Sequence, residues 1–310
     1  MFSLSIIICT HNPRFDYLSQ TLEALRKQTF SPKKWELLLV DNASDQPLAE
    51  NIDLHWHPHA KHICEVQLGL TRARLRGIRE AKADILVFVD DDNVLDPDYL
   101  ENVERIGQDW PMLGAWGGGQ IRPKFEQEPP PWTKTYWSFL AIRETERDIW
   151  SNIGKLDQTI PCGAGLCVRR TVAERYAQSV VNKSMRLLLD RCGNLLTSGG
   201  DLDLALTSCD IGLGMGQFTA LCLTHLIPHH RVTEDYLLKL AEGILYSSVI
   251  LGHIRGKTPP KPNWKLKPFQ FLARLKMNAR QRRFDRAIWK GKYSAYKDIE
   301  HFIAKNGSPH

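Results

Sequence analysis

Residues 85–93 read Ile-Leu-Val-Phe-Val-Asp-Asp-Asp-Asn, five apolar residues followed at once by three aspartates and an asparagine. An apolar run without alternation is typical of a strand buried on both faces, as in the interior of a parallel sheet. The pattern therefore predicts a strand over Ile85–Val89 with the polar cluster Asp90–Asn93 at its carboxyl end.

Two earlier runs repeat this arrangement. Leu4–Cys9 is followed by Thr10–Asn12, and Leu37–Val40 is followed by Asp41–Asp45. Strands that alternate with helices predict an α/β fold with a doubly wound, mostly parallel sheet. Because ligands of such sheets lie beyond the carboxyl ends of the strands, we expect the three polar clusters to converge at one edge.

Helical patterns lie between these strands. Leucines at helical spacing predict a helix over Tyr17–Gln28, and a second helix is predicted over Gly69–Lys82. The second helix carries Arg72, Arg74 and Arg76. These arginines can meet phosphates bidentately, or they form a solvated helix face.

Three consecutive aspartates are costly unless something offsets their repulsion. Like charges about 4 Å apart repel by roughly 1 kcal/mol in water and about 4 kcal/mol at an intermediate dielectric. Oxygen ligands with open coordination positions suit Mg²⁺ or Mn²⁺ bridging a diphosphate. The alternative is a solvated acidic turn or a helix N-cap ahead of Pro97.

The middle of the chain is less regular. Gly117–Gly119 and the proline-rich Glu126–Trp132 are predicted as loops. Gly163–Val168 is predicted as a strand and Asp201–Ile211 as a short helix. The histidine-rich stretch His55–His59 contains a proline and is predicted as a loop rather than a metal site.

Four motifs occur in order over residues 3–100. They are Ser5–Asn12, Leu38–Ser44, Gly69–Ile78, and Phe88–Asn93 followed by Pro97-Asp98. In sequence and spacing they resemble the family-two glycosyltransferases of the GT-A fold. The resemblance implies a nucleotide-sugar donor and a single displacement that inverts the anomeric configuration. We assign residues 1–230 to a GT-A domain and residues 231–310 to a helical, basic C-terminal extension.

The resemblance also implies roles in donor binding. The residues concerned are Thr10, His11, Asn12, Asp41, Asn42, Arg74, Asp90 and Asp91. Among them, Thr10 and Asn12 would line the nucleotide pocket, and Asp41 would accept a hydrogen bond from the base. Arg74 would face the base or the diphosphate, and one of the pair Asp90–Asp91 would hold the ribose.

Catalysis would draw on the later half of the chain. In the segment Ser198–Leu204, Asp201 aligns with the family's general base, which deprotonates the acceptor hydroxyl. Gly200 stands where the family usually has Glu. Asp203 is held in reserve, and a helix N-cap is the alternative role for Asp201.

The resemblance makes Asp92 a metal ligand, and a histidine downstream would complete the site. His225 lies 24 residues after Asp201, and a neutral imidazole is a good ligand for Mn²⁺-like ions. His229 and His230 compete for this role. A structural histidine is the alternative.

Charge is unevenly spread along the chain. Residues 255–297 hold 14 Lys/Arg and one acid, a net charge of +13, whereas the whole chain carries +6 and its remainder therefore −7. Aromatic residues from Trp264 to Tyr293, including Phe269, Phe271, Phe284 and Trp289, are interleaved with these cations. Three interpretations of this segment are open: a solvated helix pair packed on the domain, a surface for anionic lipid, or a nucleic-acid surface. We do not expect nucleic acid.

Composition points to a globular protein of the cytoplasm. The chain has seven cysteines without a C-x-x-C pair, which fits a reducing compartment. We expect no targeting segment ahead of Leu4, and we judge Tyr236–Ile254 too polar to span a bilayer because it contains Lys239, Glu242 and His253. We expect a cytoplasmic protein, with peripheral contact at the inner face of the membrane as an extension of the lipid interpretation.

The function predicted is sugar transfer to a saccharide or a lipid-linked acceptor, with UDP-sugars favoured by Asp41. Two other functions compete. A sugar nucleotidyltransferase usually has a glycine-rich basic loop after its first strand, whereas Thr10–Arg14 has no glycine. A non-catalytic nucleotide or nucleic-acid binding module has no need for acids at 41, 90–92 and 201, which repel phosphate unless a metal is present.

Overall fold

The computed structural model describes residues 2–154, 158–181, 185–191, 196–261 and 275–306. The chain divides into two compact units. The first unit comprises Met1–Asn182 with Asp201–His229, and the second comprises Lys183–Gly200 with His230–His310.

One sheet forms the centre of the first unit. Its strands are β1 (Leu4–Thr10), β2 (Trp35–Asn42), β3 (Ala60–Glu65), β4 (Ile85–Val89), β5 (Asn93–Leu95), β6 (Leu113–Phe125), β7 (Arg143–Glu144), β8 (Ile149–Ser151), β9 (Leu166–Arg169) and β10 (Gly214–Ile227). The order across the sheet is β3-β2-β1-β4-β9-β6-β10-β5, with β7 beside β6 and β8 beside β10. Strands β3, β2, β1 and β4 run parallel, β6 and β10 run parallel, and β9 is antiparallel to both its neighbours. The predicted α/β fold with a mostly parallel sheet is confirmed.

Helices cover this sheet and build the second unit. They are α1 (Phe15–Arg26), α2 (Leu70–Glu80), α3 (Tyr99–Asp109), α4 (Arg170–Val181), α5 (Gly200–Asp210), α6 (Glu234–Ile254) and α7 (Ala279–Asn306). Helix α2 lies close to β1 because residue 77 is a glycine. A Cβ there would stand 2.5 Å from Cγ2 of Ile7.

The register of the parallel strands sets the position of the site. Ile8 of β1 is level with Val89 of β4, and Thr10 is level with Asp41 of β2. The apolar parts of these strands are buried, and the polar residues begin at their carboxyl ends, where Thr10 and Asn42 are still buried. The three polar clusters therefore lie at one edge, as the sequence predicted.

The glycines Gly117–Gly119 lie inside β6, so the prediction of a loop there is wrong. Two parallel backbones approach closely at this point. A Cβ on Gly119 would lie 2.8 Å from the carbonyl oxygen of Phe218 on β10, which explains a glycine in a long strand. The other glycine-rich loop, ahead of β9, shortens the predicted strand to Leu166–Arg169.

The second unit is built around α6 and α7. Polar contacts advance in the same direction along both helices, joining Glu234 to Arg280 (3.0 Å), Glu242 to Lys290 (2.9 Å) and Tyr246 to Asp298 (2.7 Å). The two helices are therefore parallel. Cations of α7 that face α6 are matched by acids, which accounts for part of the basic charge of the C-terminal segment.

Helix α6 is long and apolar enough to cross a membrane by length and composition, with a mean hydropathy of 1.3 over its best window. The sequence-based judgement that this segment is too polar is not supported by that measure. Half of the window is buried within the protein, as in a core helix. Of the interleaved aromatic residues, Trp264, Phe269 and Phe271 lie outside the described residues.

Candidate active site

The carboxyl end of β1 is joined to the aspartate triplet. The Thr10 hydroxyl donates a short hydrogen bond to Oδ2 of Asp91, and the Thr21 hydroxyl of α1 donates to the Asp91 carbonyl at 3.2 Å. Thr10 is buried, and the side chain of Asp91 is partly buried. The turn after β4 is therefore held against β1 and α1.

Asp41 shapes the turn that follows β2. Its two carboxylate oxygens accept the backbone N–H groups of Ser44 at 3.1 Å and Leu48 at 3.0 Å. Ala43, directly before Ser44, adopts a left-handed conformation with φ 55°. Each carboxylate oxygen has a second lone pair, so Asp41 can still accept from a ligand.

Asn12 ties the loop after β1 to the loop after β2. It has φ 48°, its backbone N–H donates to the Ser44 hydroxyl at 3.0 Å, and its amide exchanges two hydrogen bonds with Asp45 at 2.9 and 3.0 Å. His11 Nδ1 lies 2.9 Å from the carbonyl oxygen of Asn42. Two of the predicted donor-binding residues thus also build the rim on which a nucleotide would rest.

Asn42 has its side chain turned inward, where it is buried. The amide nitrogen donates to the carbonyls of Glu65 (3.1 Å) and Gln67 (2.8 Å), and the amide oxygen accepts from the Gly69 N–H at 2.8 Å. Gly69, with φ 137°, is the residue before α2. Asn42 therefore fixes the start of the helix that carries Arg74.

Arg74 and Asp201 meet at the loop that precedes β9. The N–H of Gly163 donates to Oδ2 of Asp201 at 2.6 Å. A Cβ on Gly163 would lie 3.2 Å from an Arg74 guanidinium nitrogen and 3.2 Å from the same Asp201 oxygen. Arg74 is buried on α2, so its charge is held at this point beside the first turn of α5.

The buried thiol of Cys162 reports which other charges lie nearby. Burial raises its pKa, Arg143 opposes this, and the carboxylates of Asp201 and Asp90 raise it further. Electrostatic influence of this kind falls off with distance. Gly163, the residue after Cys162, donates to Asp201, so the start of α5 lies at the loop that carries this thiol.

Asp92 and His225 face one another in the interior of the same edge. Strand β5 runs antiparallel to β10 and sets Asn93 level with His225, so that Asp92 Oδ2 lies 3.4 Å from His225 Nε2. The Asn93 amide donates to the other Asp92 oxygen at 3.0 Å. Both side chains of the pair are less than a tenth exposed.

The tautomer of His225 follows from its second contact. Nδ1 lies 3.0 Å from the carbonyl oxygen of Leu140, which can only accept, so Nδ1 carries the proton. In the neutral ring, Nε2 then presents its lone pair toward Asp92. Oδ2 of Asp92 and Nε2 of His225 are close enough together that both could be ligands of one divalent ion.

This donor set fits a divalent metal ion whose remaining ligands come from substrate and water. Within the described residues there is no group of three or more His, Cys, Asp or Glu arranged to hold a metal. An aspartate and a histidine alone would leave coordination positions open for a diphosphate.

The reserve residues stand elsewhere. Asp203 is fully buried two residues into α5 from Asp201, so it points to a different side of the helix. His229 is exposed just after β10, and its N–H donates to Glu126 at 2.8 Å. His230 belongs to the second unit. Of the candidates for the base and the histidine ligand, Asp201 lies beside Arg74 at the loop before β9, and His225 lies beside Asp92.

Sequence reasoning missed three contributors to this edge. Asn93 orients Asp92, Thr21 holds the triplet from α1, and Arg143 lies near Cys162. The asparagine directly after the triplet was the one visible signal. The other two depend on tertiary contacts.

Comparison with known proteins agrees with this geometry. The sequence profile of glycosyl transferase family 2 matches residues 5–161. The chain is 22% identical over 177 residues to the glucosyl-dolichyl phosphate glucuronosyltransferase of Haloferax volcanii, covering 50% of this chain and 56% of that protein. The chain spans about half or less of the curated relatives that it matches.

Two solved structures share the fold. One is residues 1–349 of Staphylococcus aureus TarS in complex with UDP-GlcNAc, with a TM-score of 0.53 and 14% identity over 92% of this chain and 79% of that chain. The other is the mannosyltransferase PcManGT of Pyrobaculum calidifontis in complex with GDP-Man and Mn²⁺, with a TM-score of 0.54 and 17% identity over 98% and 76%. The family profile spans half of the chain and contains the three strand-end clusters, and we conclude that this protein belongs to glycosyl transferase family 2.

Proposed function

We propose that this protein is an inverting, metal-dependent glycosyltransferase that moves a sugar from a nucleotide-sugar donor to an acceptor hydroxyl in glycan biosynthesis. The observation that carries the proposal is the buried pair of Asp92 and His225, whose Oδ2 and Nε2 atoms converge at 3.4 Å next to Asp90 and Asp91. Burying a carboxylate beside other carboxylates is unfavourable unless a cation compensates it.

The metal would be held by Asp92 and His225. Mg²⁺ or Mn²⁺ supplies stabilisation of the charge that develops on the departing diphosphate. The Mn²⁺ in the PcManGT complex supports this choice of ion. Asn93 keeps the Asp92 carboxylate oriented, and Leu140 keeps the His225 ring oriented.

The nucleotide would lie along the strand ends. Asp41 can accept the N–H of a base on the lone pairs that Ser44 and Leu48 leave, and uracil N3–H is the donor that we favour. One of the carboxylates Asp90–Asp91 would hold the ribose, and Arg74 would meet the diphosphate from α2. The rim made by His11 and Asn12 would flank the base.

Asp201 would act as the general base. Its carboxylate is positioned by the Gly163 N–H and is only partly buried, so an acceptor hydroxyl can reach it. Removing that proton while the acceptor oxygen attacks the anomeric carbon forms one C–O bond as the bond to the diphosphate breaks. A single displacement of this kind inverts the anomeric centre.

The C-terminal segment favours a lipid-linked acceptor. Arg282, Arg286, Tyr293 and Lys297 of α7 stand four or seven residues apart and share one face, and Tyr293 is 59% exposed. The acid on that face, Glu300, is ion-paired with Lys261. A basic face with an exposed tyrosine suits the interface of an anionic membrane. The H. volcanii relative, whose name specifies a dolichyl phosphate substrate, supports this choice.

Thermal unfolding with UDP, GDP and dTDP, each with Mn²⁺ or EDTA, tests the proposal. One nucleotide should stabilise the protein with Mn²⁺, by about 2.7 kcal/mol at 100 times its Kd, and much less with EDTA. The variant Asp92→Asn should lose the part of this stabilisation that depends on Mn²⁺. Equal stabilisation in EDTA would contradict the metal site, and no stabilisation by any of the three would contradict donor binding.

A further inference from the structure

A short aromatic segment follows β6 in the first unit. Residues Pro131–Leu140 form a 3-10 helix that carries Trp132, Tyr136 and Phe139, all of them partly exposed. Ring centroids are 6.2 Å apart for Trp132 and Tyr136 and 6.0 Å apart for Tyr136 and Phe139. We call these three side chains the aromatic platform.

The segment beneath the platform is anchored. The Thr133 hydroxyl donates to the Pro130 carbonyl at 2.7 Å and accepts from the Trp137 indole at 3.2 Å. Trp137 also packs against Phe125 of β6, with ring centroids 5.1 Å apart. These contacts hold the backbone of the segment in place. A ligand that binds the platform would therefore not have to order this segment.

The C-terminal end of the segment leads to the candidate active site. The carbonyl of Leu140, its last residue, accepts the hydrogen bond from His225. Arg143, three residues further on, donates to the Ile160 carbonyl at 2.8 Å and lies near the thiol of Cys162. The next residue, Gly163, holds Asp201. The platform thus belongs to the connection that joins the metal ligand to the loop of the general base.

We propose that the aromatic platform binds a saccharide ring of the acceptor, which rests on and deepens the proposed function. A pyranose has a face made of C–H groups and an edge made of hydroxyls, so it needs an apolar surface with polar groups around it. Trp and Tyr offer large rigid faces with a polar tip. The exposed Lys134, Thr135 and Ser138 are interspersed with the rings and can reach hydroxyls.

These polar neighbours favour a sugar over the hydrocarbon of a lipid. A hydrocarbon chain requires a continuous apolar surface, because each polar group that it covers must give up its hydrogen bonds to water. The three rings of the platform are partly exposed and lie close to one another. A ligand that covers them would remove apolar area from water, which favours binding.

Binding of cellobiose, mannobiose and N,N′-diacetylchitobiose to the full chain, without nucleotide, tests the platform. Saturation-transfer NMR would detect contact, fluorescence titration would give Kd, and farnesyl phosphate would serve as a hydrocarbon probe. We expect at least one disaccharide to bind, and the double variant Trp132→Ala/Tyr136→Ala to weaken it about tenfold or more. Tyr136→Phe keeps the ring and should bind nearly as the wild type does.

Trp150→Ala is the matched control, since Trp150 is 45% exposed on β8 and outside the platform. It should leave disaccharide binding unchanged. The platform proposal is overturned if no disaccharide binds, if the double variant binds as tightly as wild type, or if only farnesyl phosphate gives saturation transfer. Nucleotide stabilisation, measured on the same variants, should not change, so loss of it would implicate the donor site and not the platform.

Discussion

Charge of one sign is concentrated in two regions, the edge formed by β1, β2 and β4 and the face of α7 that packs on α6. The partners of these charges differ between the two regions. On α7 the cations meet acids, as Arg283 meets Glu234 at 2.9 Å and Asp235 at 3.1 Å. At the strand edge, the hydrogen bonds described for Asp41 and Asp91 come from neutral groups. Backbone N–H groups hold Asp41, and the Thr10 hydroxyl holds Asp91.

This difference separates structural charge from functional charge. Exposed ion pairs between two helices contribute little each, with a median of about 0–1 kcal/mol, and leave no net charge to attract a ligand. A hydrogen bond from a neutral donor positions a carboxylate without pairing it with an opposite charge, and carboxylates that lie close together favour a bound cation. The comparison therefore predicts where substitutions alter chemistry and where they alter only packing.

The largest expected effect comes from Asp92→Ala. Losing a ligand of the metal that stabilises the leaving diphosphate should lower kcat/KM by on the order of 10³ or more, because such stabilisation supplies several kcal/mol. Release of nucleotide from the donor sugar is the measurement. Glu23→Ala, an exposed acid of α1 in an i,i+4 pair with Lys27, is the control and should be neutral. Wild-type turnover by Asp92→Ala, or undiminished activity in EDTA, would defeat the metal assignment.

Asp201→Asn should come next. Removing the base while preserving the side-chain shape should lower kcat by on the order of 10²–10⁴ and leave nucleotide binding intact. Asp203→Asn, at a fully buried carboxylate two residues away, should act on thermal stability instead. If Asp201→Asn lost nucleotide binding to the same extent as turnover, Asp201 would be a structural residue.

A smaller effect is expected on the outward face of α7. Arg282→Glu/Arg286→Glu should weaken co-sedimentation with vesicles of phosphatidylserine and phosphatidylcholine by tenfold or more, since each cation near such a surface is worth about 1 kcal/mol. Arg283→Ala, which breaks the pair with Glu234, should instead lower stability by at most about 1 kcal/mol. If the wild-type protein did not co-sediment with these vesicles at low salt, the proposed membrane contact would be contradicted.

The last effect is on thermal stability and not on activity or binding, and it concerns a buried histidine in the first unit. Burial, aided by His59, lowers the pKa of His57 from 6.5 to about 4, and its ring packs 3.9 Å from that of Trp35. Between these two pH values the unfolded chain binds the proton and the folded chain does not. The contribution of His57 is therefore present above pH 6.5 and lost as the pH falls toward 4.

Thermal unfolding from pH 7 to 4.5 checks this prediction. The melting temperature of His57→Phe should fall less steeply across that range than that of the wild type, although the variant starts from a different stability. Parallel curves would show that His57 is not held neutral in the fold.

The positions of the strand-end polar clusters could be predicted from sequence because their information is local. Each strand is a short apolar run, and the polar residues that matter follow immediately, as Asp41 follows Val40. Parallel pairing then brings the strand ends together without further information. The family resemblance assigned Asn42 to the nucleotide, whereas its amide is committed to the backbone ahead of α2, a contact that spacing does not reveal.

The second half of the site depends on pairing between distant segments. His225 reaches Asp92 because β5 runs antiparallel to β10, and nothing in the spacing of either strand states this. The glycines of β6 misled the prediction for a related reason. Gly119 is required by the approach of the Phe218 backbone, and a partner strand about a hundred residues away is invisible in a local pattern.

The hydrogen bond between His225 and Leu140 has a consequence for how donor binding and acceptor binding affect each other. Nε2 of His225 faces the proposed metal site, and Nδ1 donates to the aromatic segment. This one ring would therefore link the donor site to the proposed acceptor site. Any shift of that ring on donor binding moves the end of the segment that would receive the acceptor. Thermodynamic linkage is reciprocal, so the factor by which donor changes acceptor affinity must equal the factor by which acceptor changes donor affinity.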